Sequence, residues 1–335
     1  MTMGAGAAEI LDVRSLSVQV PTRRGLLKAV TDVSFTVAAG RTLCLVGESG
    51  SGKSLTALAV MGLLPPLARR SADSLRLEGI DLATLDRQWM RALRGSVMSM
   101  IFQEPMTALN PVFSVGDQIA DVLRQHRSVS RTAARARALE LLARVRLPEP
   151  ERRLDQYPHQ QSGGQRQRIL IAMALVCGPR LLIADEPTTA LDATVQLELL
   201  RLLADLQRDC GMGMLFITHD LGVVAHIGDE LAVMYGGRIV EFGAASDVLA
   251  APLHPYTRAL MDCLPDGSRP RTALPVIDGV AGPVIGAPGG CAFRARCPQA
   301  MPRCATEEAN QARPAGAGRY VRCLLPLRGG AGVTA

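Results

Sequence analysis

Val33, Phe35 and Val37 alternate with Ser34 and Thr36, the period of a half-buried strand, and Gly40 marks the turn after it. The next run, Thr42 to Val46, is short and almost wholly apolar, which predicts a buried strand leading into Gly47. Beyond a Gly- and Ser-rich stretch, Leu55, Leu58, Ala59 and Met61-Gly62 predict a helix that opens at Lys53-Ser54 and is ended by Pro65-Pro66. The second half repeats the pattern. Leu181 to Ala184 reads as a buried strand, and Val195, Leu199, Leu202, Leu203 and Leu206 share one face of a helix that stops near Gly211. Met214 to Thr218 reads as another strand, with His219 at its tip. Strands alternating with helices in this way predict an α/β fold.

With 335 residues, 48% hydrophobic and 20% charged, the chain can bury at least one full core, and its length predicts a domain plus an appendage. Met1 to Glu9 is small and uncharged apart from Glu9, without the basic start or apolar run of a targeting peptide. Residues 1–9 are therefore expected to be a disordered start to a protein that stays inside the cell. The most apolar stretch, Ile169 to Cys177, falls far short of the ~20 residues of a membrane-crossing helix, so membrane contact is expected only through a partner. Basic residues outnumber acidic ones by 37 to 31. From Gly282 onward Arg294, Arg296, Arg303, Arg313, Arg319, Arg322 and Arg328 face only Glu307 and Glu308, so the tail carries most of the surplus. Such a run is a solvated face or a nucleic-acid patch. Aromatic residues at 3% leave no stacking platforms for single strands, and nucleic acid is not expected as a partner.

Gly47-Glu48-Ser49-Gly50-Ser51-Gly52-Lys53-Ser54 has the G-x-x-x-x-G-K-[ST] spacing of a phosphate loop, after a predicted strand and opening a predicted helix. Its glycines let backbone N–H groups close on phosphate oxygens, and the helix N-terminus adds its dipole; Leu55 continues the same grip. The bland alternative is a surface Gly/Ser turn. Composition singles out Lys53: the chain has 35 arginines and only two lysines, Lys28 and Lys53. A compact ammonium fits between β- and γ-phosphates, where a planar guanidinium does not. Ser54 is the candidate hydroxyl for Mg²⁺. Asp185-Glu186 ends the Leu181–Ala184 strand, at the edge where parallel sheets collect ligands. Asp185 is expected to hold Mg²⁺ through water, and Glu186 to act as general base or water-orienting group toward the γ-phosphate. The competing reading is a helix-capping pair before Pro187. A lone histidine is more often structural, but at this strand end His219 is a candidate γ-phosphate sensor.

GESGSGKS (47–54), FQEP (102–105), SGGQ (162–165), LLIADEP (181–187), TALD (189–192) and THD (218–220), in this order, resemble the nucleotide-binding subunit of an ABC transporter over roughly residues 10–250. The resemblance implies a P-loop (RecA-like) ATPase core with an antiparallel β subdomain, a helical subdomain at about 90–170 and a small cysteine-bearing C-terminal extension at 251–335. It implies that Glu186, His219 and Gln103 serve catalysis, with Gln103 sensing Mg²⁺ and γ-phosphate and linking the site to the helical subdomain that receives the membrane subunit. It assigns Leu191 and Asp192 to the family's D-loop, and Ser162, Gly163, Gly164 and Gln165 to its signature, which contacts the γ-phosphate of ATP held by the opposite subunit. Physically this is a helix N-terminus with a capping serine and two glycines that allow close backbone approach.

SMIFQEPMTALNPVFSVGDQI (99–119), HQQSGGQRQRILIAMAL (159–175) and PLHPYTRALMDCLP (252–265) are similar to ATP-binding subunits of oligopeptide and dipeptide importers, and MGLLP (61–65) to the type that pairs with a distinct second ATPase. The resemblance implies an ATP-hydrolysing motor for peptide import. Its partners would be a related ATP-binding subunit in a heterodimer, two transmembrane permease subunits and an extracytoplasmic solute-binding protein, and it would be peripheral on the cytoplasmic face of the inner membrane. Nickel or glutathione import, and a non-transport ABC ATPase acting on nucleic acid, are the alternatives. The last usually carries two cassettes or a long coiled-coil insertion, and this sequence has neither. A redox-gated regulator with a vestigial ATPase is opposed by the complete set of Lys53, Glu186 and His219.

Cys291, Cys297, Cys304 and Cys323 fall within 33 residues, which in a chain read as internal points to metal rather than disulfides. Thiolates suit Zn²⁺ or an iron–sulfur cluster, the spacing lacks the C-x2-C knuckle, and plain reduced thiols are the third reading. CAFRARCP (291–298) resembles the start of the importer family's extension, which implies a 4Fe–4S cluster on these four. Arg294, Arg296, Arg303 and Arg322 lie near enough in sequence to balance its charge. Cys44, Cys177, Cys210 and Cys263 read as small buried hydrophobes. Two positions depart from the family pattern. Val20 stands where an aromatic usually stacks on adenine, a loss of order 1 kcal/mol, and Gln161 precedes the signature where an apolar residue is common.

Overall fold

The computed structural model describes residues 8–103, 108–189, 191–264, 276–280, 282, 284–286, 289–316 and 318–325. The expected disordered start lies outside these as far as residue 7, and Glu9 already opens a strand. In chain order the strands are β1 (Glu9–Thr22), β2 (Gly25–Ala38), β3 (Thr42–Val46), β4 (Arg69–Ser71), β5 (Ser74–Leu77), β6 (Ile80–Asp81), β7 (Met98–Ile101), β8 (Leu181–Asp185), β9 (Gly213–Thr218), β10 (Glu230–Tyr235), β11 (Arg238–Ala244), β12 (Arg313–Pro314) and β13 (Tyr320–Val321). They fall into two compact units. Among the described residues, one gathers 8–11, Val37–Arg41 and those within Leu77–Phe216; the other gathers Asp12–Thr36, Thr42–Arg76 and those from Ile217 onward. The described residues of 251–335 thus fall in the same unit as the phosphate loop.

In the first unit β7 runs parallel to β8, with Met98 opposite Leu181 and Ile101 opposite Ala184, and the start of β9 lies on the other side of β8. Leu181 to Ala184 are fully buried, as a strand covered on both faces must be, which is why they read as an unbroken apolar run. Val115–His126, Arg131–Arg144, Gly163–Leu175 and Ala193–Cys210 are the unit's longest helices among the described residues. Ser114, Ser130, Ser162 and Asp192 start them, each side chain accepting a backbone N–H of the first turn, a device worth about 1 kcal/mol per helix.

In the second unit the strand order is β12-β13-β11-β10-β3. β10 is parallel to β3 and antiparallel to β11, with a register shift between Val233 and Met234. β13 continues the sheet antiparallel to β11, Glu241 facing Val321 and Phe242 facing Tyr320. A separate sheet holds β1 between β2 and β5, with β4 antiparallel to β1. β2 is far longer than the Val33–Val37 alternation that signals it. Its first residues are paired by the tail, where Lys28 N–H donates to the Val284 carbonyl (2.9 Å) and Gly286 N–H to that of Leu26 (3.0 Å), a contact no local pattern encodes. The helix after the phosphate loop also ends earlier than expected, at Met61. Gly62, at φ 63°, turns the chain so that Gly62 and Leu63 donate to the carbonyls of Ala59 and Leu58, closing the helix before the prolines. Among the described residues no helix is long and apolar enough to cross a membrane.

Candidate active site

β3 delivers the chain into the phosphate loop, and the Lys53–Met61 helix leaves it. Gly47 is there because of its surroundings: a Cβ would lie 2.1 Å from the Met234 carbonyl oxygen on β10. Gly52 combines both reasons for glycine, with φ 104° and a Cβ position 2.4 Å from the Ala29 carbonyl. Gly50 (φ 78°) and Ser49 are exposed at the loop's tip, while Ser54 and Leu55 are half-buried at the helix start. Lys53 is buried, and its Nζ donates to the carbonyls of Gly47 (2.7 Å) and Glu48 (3.0 Å), folding the ammonium under the loop. The Ser51 hydroxyl is buried without a hydrogen-bond partner within the protein. An orphaned donor inside a loop of backbone N–H groups is what an oxyanion such as phosphate would satisfy.

Glu48 is held in a way the sequence did not announce. Its N–H donates to the Tyr256 hydroxyl (2.9 Å), and its carboxylate accepts from Arg296 Nη1 at 3.1 and 2.8 Å. Both partners come from the tail, more than two hundred residues away.

The first unit carries the acidic strand end. Asp185 closes β8 and is buried; Glu186 follows with φ 47°, a left-handed conformation that a non-glycine residue holds at a cost of about 1–3 kcal/mol. Its Oε2 accepts from Gln103 Nε2 (3.2 Å) and from the Thr189 hydroxyl (3.0 Å), so the structure brings Gln103, Glu186 and Thr189 together. The rest of FQEP, from Glu104, lies outside the described residues, as does Ala190. Ser162 and Gln165 form a reciprocal capping box, Gln165 N–H to Ser162 Oγ at 3.3 Å and Ser162 N–H to Gln165 Oε1 at 3.0 Å. Ser162 and Gly163 stay exposed, and a Cβ on Gly164 would lie 3.0 Å from Val195 of the next helix. Asp192 caps that helix, with Leu191 half-buried before it. Gln161 is buried in a polar cluster, donating to Gln156 (2.8 Å) and accepting from Arg153 (3.3 Å), which explains how a polar side chain replaces an apolar one there. In the second unit His219 is exposed just past the end of β9.

Cys291, Cys297, Cys304 and Cys323 line one small cavity with His254, Phe293, Met301 and Leu324. No disulfide joins any two of the four. Burial pushes Cys291 up to about 11, the neighbouring thiols adding to the effect, and burial also raises Cys297 and Cys323. Such sulfurs ionise readily only with positive charge among them. Among the described residues no group of three or more His, Cys, Asp or Glu is placed to hold a metal ion, so neither the zinc nor the iron–sulfur reading finds support here. The expected counter-charges also go elsewhere. Arg296 is spent on Glu48, Arg303 on Glu308 (2.7 Å) and Arg322 on Asp32 (2.9 Å), because a carboxylate offers a guanidinium stronger bonds than sulfur; of the four only Arg294 lines the cavity. Of the remaining cysteines Cys44 and Cys177 are buried as expected, whereas Cys210 is exposed and Cys263 half-buried.

A phosphate loop between a buried strand and a helix, with an acidic β-strand end and a Ser162-Gly163-Gly164-Gln165 helix start elsewhere in the fold, fits the class of ATP-hydrolysing cassettes of the ABC type. The chain matches the family described as ABC transporter over residues 30–189, and the oligopeptide/dipeptide transporter C-terminal region over residues 240–304. It is 47% identical over 297 residues to the dipeptide transport ATP-binding protein DppD of Bacillus subtilis, covering 88% of this chain and 89% of that one. Against DppD of Escherichia coli the identity is 43% over 318 residues, 95% and 97% of the two chains. Among solved structures, a dimeric ATP-binding cassette in a post-hydrolysis state with ADP and Pi matches with a TM-score of 0.63 at 26% identity, covering 70% of this chain and 98% of that one. This chain belongs to the ATP-binding proteins of the oligopeptide/dipeptide branch of the ABC transporters.

Proposed function

We propose that the protein is the ATP-hydrolysing motor of a binding-protein-dependent importer for di- and oligopeptides. The observation that carries this is a fully built phosphate loop in a chain alike almost end to end to dipeptide transport ATP-binding proteins. Gly47 to Leu55 grip the phosphates of ATP, Lys53 reaching the β- and γ-oxygens. Ser54, Gln103 and Asp185 supply the oxygen donors suited to Mg²⁺, which neutralises charge on the transferring phosphate. Glu186, held by Gln103 and Thr189, orients the attacking water and takes its proton, with His219 as γ-phosphate sensor. The exposed Ser162–Gly163 helix start, with Gly164 and Gln165, serves the ATP of a second, related subunit, and Leu191 and Asp192 lie along that contact; the dimeric relative supports this arrangement. Phe102, Val112 and Phe113, exposed by 46, 72 and 50%, flank Gln103 and the helix it precedes, and offer an apolar face for a permease. The working place is therefore the cytoplasmic face of the inner membrane, beside two permease subunits fed by a solute-binding protein.

The tail thiols fit a 4Fe–4S cluster by donor chemistry, four sulfurs on one cavity. In such a cluster each thiolate binds a different iron, which does not require the close approach of ligands around one ion. Anaerobic iron and sulfide analysis of the purified chain tests this directly. For the transport reading, the complex is purified with its binding protein and the retained ligand identified by mass spectrometry. Short peptides are expected; nickel or glutathione would overturn the peptide assignment.

A further inference from the structure

The segment Cys291–Cys297 faces two ways. Its cysteines and Phe293 line the sulfur cavity, while Arg296, between the cysteines in sequence, reaches Glu48 of the phosphate loop. Phe293, 1% exposed, packs edge-on against Tyr235 (5.2 Å between centroids) and tilted on Tyr256 (5.3 Å). Arg296 stacks over Tyr235 and Phe293 and donates to the carbonyls of Ile277 (3.0 Å) and Asp278 (2.8 Å), leaving Nη1 bridging both oxygens of Glu48. With its side chain 7% exposed, this guanidinium is locked in place and not a mobile surface charge. A second arm runs in parallel. His254, 1% exposed, lines the sulfur cavity; its Nδ1 accepts the Tyr256 N–H (3.0 Å), and the Tyr256 hydroxyl accepts the Glu48 N–H. Nδ1 as acceptor leaves the ring proton on Nε2, which lies near the Arg322 backbone but makes no hydrogen bond of ordinary geometry. Main chain and side chain of Glu48 are thus both tied to residues packed around the four cysteines.

We propose that Arg296 is a positioning residue for the phosphate loop, and that with the His254–Tyr256 pair it couples ATP affinity to the state of the four-cysteine centre. Ordering the thiols around a cluster fixes residues 291–297, which fixes Glu48 and the loop behind it. By linkage, ATP in turn slows loss of whatever the thiols hold, and slows their alkylation. The proposal rests on the reading of residues 47–54 as an ATP site.

The test measures fluorescent-ATP affinity of the full chain, anaerobically prepared, before and after chelation, together with the rate at which iodoacetamide labels the tail cysteines. Arg296→Met should raise the ATP Kd about tenfold, the ~1.4 kcal/mol of one charge-assisted bond. Arg296→Lys should recover part of the loss. Glu48→Gln, made as an independent variant should Arg296→Met fail to fold, should add little to Arg296→Met when combined. In the assembled complex the Arg296→Met defect should appear in KM for ATP and not in kcat. ATP should slow cysteine labelling in the wild type and not in Arg296→Met. A Kd within twofold of wild type in both single variants, multiplicative effects in the pair, or labelling indifferent to ATP overturns the proposal. ATP binding unchanged by Lys53→Met would instead overturn the reading of the loop, and the coupling with it.

Discussion

Two glycines of the phosphate loop should respond to alanine in unequal degree, and the structure sets the order. At Gly50 the backbone is left-handed (φ 78°) and nothing lies within 4 Å of the added methyl, so Gly50→Ala meets conformational strain alone, about 1–2 kcal/mol. At Gly47 the methyl would sit 2.1 Å from the Met234 carbonyl oxygen and 2.8 Å from Ser51 Oγ. The oxygen belongs to β10 at its register shift, with Val233 paired to Val46 just before it and Met234 to Ile239 across the hairpin. To restore even the 3.0 Å that real contacts keep, the backbones must part by 0.9 Å, the difference between the two distances. Such a shift spoils one or two ladder hydrogen bonds at about 1 kcal/mol each and adds packing strain of about 1–3 kcal/mol, giving about 2–5 kcal/mol in all. Urea midpoints of the two variants, measured side by side with nucleotide binding, check the order. A Gly47→Ala protein as stable as Gly50→Ala, or more so, would refute the claim that the β10 carbonyl dictates glycine there.

Three further outcomes follow from named contacts. Glu186→Gln should lower ATP turnover of the assembled complex by about 10²–10⁴-fold while ATP-dependent dimerisation persists, read by steady-state hydrolysis and light scattering. Val20→Tyr should tighten ATP about fivefold, the worth of ~1 kcal/mol of stacking, and the wild type should bind ATP and GTP within tenfold of each other in equilibrium titrations. Arg319→Leu should destabilise by about 3–5 kcal/mol, since it leaves Glu241, fully buried, with only the N–H groups of Leu253 and His254 as partners; resistance to limited proteolysis measures it.

The phosphate loop was legible because its chemistry is local: spacing, a following helix and a lysine kept in an arginine-rich chain all lie within a dozen residues. Ser162 was legible as a helix start for the same reason and caps as expected, whereas the capping role of Asp192 came only with the structure. What escaped depends on distance along the chain. No pattern near Glu48 points to Tyr256 or Arg296, and sequence nearness misassigned Arg296, Arg303 and Arg322 to sulfur when carboxylates at 2.7–2.9 Å hold them. The left-handed backbone of Glu186 also had no signal, because glutamate before Pro187 is a residue whose identity argues for extended backbone.

β13 is made of Tyr320 and Val321, yet it stands in the same row of strands as β3, the strand that enters the phosphate loop. During synthesis β3 therefore emerges long before β13, and its row of strands waits on residues far later in the chain. A product stopped before residue 319 still makes β11 but leaves it an open edge, a template for pairing with another chain. It also strands the buried Glu241 without Arg319. For the cell, a late premature stop in this chain yields a sticky fragment rather than a merely idle one.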